Sequence, residues 1–150
     1  MLAFDIETTG LQSTDTITAA CLYDPDNNIN KTYIFALGSD YNDLIREMDN
    51  AEQLCAFNGA RFDIPFMQKE WNIPPEKIQA WRLKLFDIYE TSMQVFKKGF
   101  SLNQLLSYNN IPNKTGHGKE AIMLAQQAMW SELGEYCMQV LLIFSFFIIF

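Results

Sequence analysis

The sequence predicts a single α/β domain with a mixed five-stranded sheet flanked by helices. Three observations lead there. Apolar runs bounded by turn residues recur along the first ninety positions,. The first three are joined by connections too short for a crossover helix, so they form an antiparallel meander,. After them, strand-like runs alternate with helix-like segments, the signature of a layered α/β domain. The 150 residues are 49% hydrophobic and 14% aromatic, enough to bury a core within one domain of ordinary size,.

"LAFDIE" (2–7) reads as a short buried strand ended by the Thr-Thr-Gly turn signal,. "TITAACLYD" (16–24) and "KTYIFAL" (31–37) are the second and third strands, separated by the turn "PDNN". A helix over 39–48 is capped by Ser39 or Asp40 and places Leu44, Ile45 and Met48 on one face,. "QLCAFNG" (53–59) is the fourth strand, closing in an Asn-Gly turn. A helix starts near Phe62, with Pro65 in its first turn, and "WNIPPEK" (71–77) breaks it,. Residues 82–89 are the fifth strand, leading into a helix. Ser101 caps a helix over 101–110, residues 113–119 form a loop, and helices follow over 119–128 and 130–139. The domain spans 1–139; residues 140–150 form an atypical apolar tail. No internal repeat or linker interrupts it.

Charge is uneven. Residues 1–55 carry a net −8 and residues 56–150 a net +1, within a total of −7. The chain as a whole lacks the basic footprint of a nucleic-acid binder, although bound divalent cations offset a local acidic cluster. Cys21, Cys55 and Cys137 have no metal-ligand spacing and read as buried small hydrophobes in a reducing compartment,. The opening "MLAFDIETTG" turns acidic at residue 5 and has no basic start, so an intracellular, non-secreted protein is expected, with cytoplasm and nucleus both open,.

Chemistry concentrates in two stretches. In "FDIETTG", Asp5 and Glu7 are two apart on a strand and so face one side of the sheet, while Phe4 and Ile6 face the other,. Two carboxylates this close repel unless protonated or holding a cation, and oxygen donors suit Mg²⁺ or Mn²⁺. In "FNGARFDIPFM" (57–67), Asp63 fits a helix cap, a role compatible with facing a site at the sheet edge,.

"FDIETTGL" followed by "NGARFD" resembles the DEDD (DnaQ-like) superfamily of 3′→5′ exonucleases, and within it predicted exonucleases related to the proofreading domain of family B polymerases. The likeness runs over residues 2–139; "FSLNQLL" (100–106) and "GHGKEA" (116–121) look like the family's middle segment. It implies an RNase H-like fold and two-metal phosphodiester hydrolysis, with Mg²⁺ or Mn²⁺ ions about 4 Å apart. On this resemblance Asp5 bridges the metals, Glu7 binds the nucleophile-side metal, Asp63 holds the second, and Tyr136 orients the attacking water. Thr8, Leu11, Asn58 and Phe62 meet the substrate, a single-stranded nucleic acid or a 3′ end, DNA before RNA. Lys97, Lys98, Lys114 and Lys119 are candidate phosphate contacts, with ordinary solvated surface as the competing reading.

The third motif departs from the family. Its Tyr form has Asp four residues after the Tyr, and this chain has Val140 there. Its His form fails too, since Ile122 stands five residues after His117, which reads as a solvated loop residue. Glu132 lies one turn on the wrong side to substitute, and Asp87 reads as a strand-end or helix-cap acid,. Loss of this ligand implies impaired hydrolysis, or an inactive relative that binds nucleic acid or protein. The tail 140–150 is too short for a bilayer, which takes about twenty residues, so no stable membrane insertion is expected,. It reads as a truncated or altered C-terminus.

Overall fold

β1 (Leu2–Thr8) is a central strand, and all its residues but Asp5 and Glu7 are buried because both faces of the sheet are covered. The computed structural model describes residues 1–12, 14–112 and 118–148, the last five by their main chain alone. β1 pairs antiparallel with β2 (Ile17–Asp24), placing Asp5 opposite Cys21 and Glu7 opposite Ala19. β2 pairs antiparallel with β3 (Ile29–Ile34). On its other side β1 takes the short parallel strand β4 (Leu54–Ala56), and β5 (Leu85–Asp87) follows, also parallel. The five-stranded order is β3-β2-β1-β4-β5, a mixed sheet of the expected RNase H-like kind.

The helices are α1 (Tyr41–Asn50), α2 (Asp63–Glu70), α3 (Pro75–Leu83), α4 (Ile88–Phe96), α5 (Leu102–Tyr108), α6 (Gly118–Gln126) and α7 (Trp130–Ile148). One face of β1 puts Leu2, Phe4 and Ile6 into a core with Leu44 and Met48 of α1, Ile64 and Met67 of α2, and Trp81 of α3. The opposite face puts Ala3 with Leu102, Leu105 and Leu106 of α5 and Cys137, Val140 and Leu141 of α7. Asp40 caps α1 through the Asn42 N–H, while Ser39 accepts from Ile34 N–H instead. Ser101 and Gln104 form a reciprocal capping box on α5,.

Several boundaries differ from the sequence reading. The third strand ends at Ile34 and passes into a 3₁₀ turn, Phe35–Leu37, closed by Gly38 at φ 84°. The fourth strand stops at Ala56 because Asn58 adopts φ 63°, which ends the extended run. The break expected over 71–77 instead contains the start of a helix that the sequence reading missed. Pro75 opens α3, where its missing N–H costs nothing, and Arg82 and Leu83 belong to that helix rather than to β5,. α7 continues through position 140 to Ile148. Lys114, His117 and most of the expected 113–119 loop, with the last two residues of the tail, lie outside the described residues. Among the described residues no helix is long and apolar enough to cross a membrane.

α7 lies close on the sheet at Gly134, where a Cβ would meet Thr32 Cγ2 at 2.9 Å. Gly134→Val is therefore expected to lower unfolding stability by about 1–3 kcal/mol, read from the urea midpoint. An unchanged midpoint would show that α7 packs less tightly than this.

Candidate functional site

The alternation of β1 decides where the acids go. Phe4 and Ile6 point into the α1–α3 core, so Asp5 and Glu7 point to the α7 side, both half-buried,. A register shift between Glu7 and Thr8 ends regular pairing with β2 at this point,. α7 brings Cys137 to the pair: its sulfur and one oxygen each of Asp5 and Glu7 lie within 4.8 Å of one another.

Asp63 arrives from the other side. β4 is so short that its pairing with β1 covers only Leu2 and Ala3, which leaves the Ile6 N–H beyond the ladder. A buried N–H needs an acceptor, and Asp63 Oδ1 takes it at 3.0 Å,. Asp63 is the first residue of α2, with Phe62 at the cap position, so the capping role expected for it is corrected to a bond across to β1. Burial pushes its carboxyl well above the usual carboxylate range, and the Asp5 charge pushes it further,.

Tyr136 lies in α7, one residue before Cys137, and packs with Ala19, Ala121 and Leu133. Burial raises its phenol above the ordinary value, and the charges of Glu7, Asp5 and Glu120 add to this. It is a protonated donor near neutral pH. The Cys137 thiol is also pushed up, first by burial, then by Cys21 and the two acids, and it donates weakly to the Asp5 carbonyl at 3.7 Å. A neutral thiol is a poor ligand, so the charged donors here are carboxylate oxygens, which fit a hard divalent cation.

The remaining candidates divide. Thr8 is buried and its hydroxyl donates to the Gly10 carbonyl at 2.6 Å, shaping the turn that carries Leu11, which is 81% exposed. Asn58 faces the site loop through its backbone: its N–H donates to Asp87, and its carbonyl accepts from the Arg61 and Phe62 N–H groups. Phe62 packs on the core and tilts against Phe66, with ring centroids 4.8 Å apart. Val140 is buried in the apolar cluster with Ala3 and Cys137. Asp87 is the cap of α4. It accepts from Asn58 and Ala60 N–H at 2.9 Å and from Tyr89 and Glu90 N–H at 3.0 and 3.2 Å, so it ties the loop before Asp63 to the sheet. Lys97, Lys98 and Lys119 lie on the surface. Sequence reasoning missed Cys137 as a neighbour of the acids. Its place next to Tyr136 on a helix that must cover β1 was the available signal.

This geometry can be set beside known proteins. The family model of the RNase H superfamily matches residues 2–124. The chain belongs to the RNase H superfamily. Among solved structures it is similar to the family B DNA polymerase from the hyperthermophilic archaeon Pyrobaculum calidifontis. The TM-score is 0.64 at 16% identity, covering 96% of this chain and 24% of the polymerase. That likeness is one of fold, and the chain spans about a quarter of the polymerase's length. Comparison with curated proteins gives no match. RNase H superfamily membership agrees with the sheet order and makes the fold a nuclease-type one.

Asp63 sets a pH dependence. Its folded carboxyl holds a proton more tightly than an unfolded one, which titrates at about 4,. Between these two values the folded state binds more protons, so stability present below about pH 4 is lost as pH rises through the folded value. In chelator, melting temperature is expected to fall across this range, and Asp63→Asn to remove the slope. A slope unchanged by that substitution would place its origin elsewhere.

Proposed function

We propose that this chain is a 3′→5′ exonuclease domain of the DEDD (DnaQ-like) type that acts on single-stranded nucleic acid, with hydrolysis weakened at its third motif. The observation that carries the reading is the Asp5–Glu7 pair on β1, whose charges reach Tyr136, with Asp63 held on the Ile6 N–H close enough to feel the charge of Asp5. Asp5 and Glu7 would hold Mg²⁺ or Mn²⁺, with Asp63 completing the set. Bound divalent ions supply an activated water and neutralise the leaving oxygen. Asp63, held by the Ile6 N–H, keeps its carboxyl fixed beside Asp5. Tyr136 retains its proton and orients a water by donating to it, rather than acting as a base. The turn carrying Thr8 and Leu11, with the Asn58–Phe62 loop, would receive the terminal nucleotide.

Val140 favours a second reading, an inactive relative that binds nucleic acid without cutting it. The side chain is buried among apolar residues where the family pattern has a carboxylate. The two readings separate in one experiment with 5′-labelled single-stranded DNA and Mn²⁺. Slow 3′-end shortening, abolished by Asp5→Ala, is expected. Val140→Asp is expected to lower stability in chelator by about 3 kcal/mol, the effect of an unpaired buried charge, and to speed shortening in Mn²⁺. Metal-dependent binding with no shortening in either form would establish the second reading.

A further inference from the structure

A second surface lies along α4 and α5. Phe100 is flanked edge-on by Phe96 and Tyr108, with ring centroids 5.5 and 5.6 Å away. Phe96 is 61% and Tyr108 70% exposed, so both rings present apolar area to solvent. Lys98 Nζ sits 5.5 Å from the Phe100 centroid, and Lys97 beside it ends α4 at φ 55°. Among the described residues neither lysine has a carboxylate within ion-pair distance. The turn is fixed in place. A Cβ on Gly99 would meet the Tyr89 hydroxyl at 2.6 Å, so the main chain rests on that ring. The Arg61 guanidinium lies 5.8 Å from the Tyr89 centroid and pairs with Glu90 at 3.2 Å. Arg61 is two residues before Asp63, so rings and cations continue from this turn to the edge of the carboxylate site.

Charge identifies the occupant. From Glu90 to Glu120 the chain contains four lysines and no acid between them, although the protein carries −7 overall. Cations spaced among exposed rings fit a polymer with phosphates on one side and flat faces on the other. We infer that the Lys97–Lys98 turn with Phe96, Phe100 and Tyr108 is a sequence-tolerant binding surface for single-stranded nucleic acid, holding the strand away from its end. The inference deepens the proposed function but does not need hydrolysis.

A circular oligodeoxythymidylate tests it, because a circle has no 3′ end to enter the carboxylate site. Binding is followed by fluorescence anisotropy in chelator, with circular dichroism confirming the fold of each variant. Lys97→Glu with Lys98→Glu is expected to weaken binding at least tenfold and to reduce the salt slope by about 1.4. Phe96→Ser with Tyr108→Ser is expected to weaken it about tenfold. Binding unaffected by both double variants, no binding to the circle, or anionic vesicles bound in its place would overturn the inference. Circle binding that persists while linear DNA is neither shortened nor bound through divalent ions would overturn the exonuclease reading alone.

Discussion

The hydrogen bond from the Ile6 N–H to Asp63 is the constraint on which the site depends. It exists because β4 ends at Ala56, leaving a central-strand N–H buried and without a ladder partner. A carboxylate answers that need and is thereby fixed beside Asp5, a second carboxylate. In water the two would separate. Here the sheet and α2 hold them together, and burial, with the Asp5 charge added to it, raises the Asp63 carboxyl. Backbone satisfaction thus creates an electrostatic demand that a divalent cation would meet.

The surrounding structure maintains that geometry. Asp87 gathers N–H groups from the Asn58–Ala60 loop and the first turn of α4, so the chain leaving β4 re-enters α2 at a fixed height. Glu70, at the other end of α2, accepts the Ile17 N–H at 2.7 Å and ties that end to β2. α2 is therefore pinned at both ends to the sheet edge, and the position of Asp63 is set by three acids, Asp63 itself included.

Strand periodicity made much of this legible in the sequence. Asp5 and Glu7 had to share a face because they are two apart on β1, and the antiparallel meander followed from the short connections. What stayed hidden depended on tertiary detail. The prolines at 74 and 75 signal a helix start as readily as a break, and only packing of Ile78 and Trp81 into the core distinguishes them. The capping role read for Asp63 failed because the unpaired Ile6 N–H lies far away in sequence. Cys137 read as a small core residue, which it is, yet the face that buries it also places it beside the acids.

The register of α7 sets what surrounds Val140. Leu133 and Tyr136 pack with Ala19, the partner of Glu7; Cys137 reaches the Asp5 carbonyl; Val140 and Leu141 join the cluster that contains Ala3. α7 thus runs antiparallel to β1. One helical turn, about 5.4 Å, carries it past roughly two strand residues. A residue one turn beyond Tyr136 therefore lies near the level of Asp5, and Val140 is buried there in the apolar cluster that also holds Ala3 and Cys137. Valine suits that place in the absence of a cation. A carboxylate buried there would be tolerable only with a bound ion beside it, so at position 140 the demands of folding and of metal binding would oppose each other.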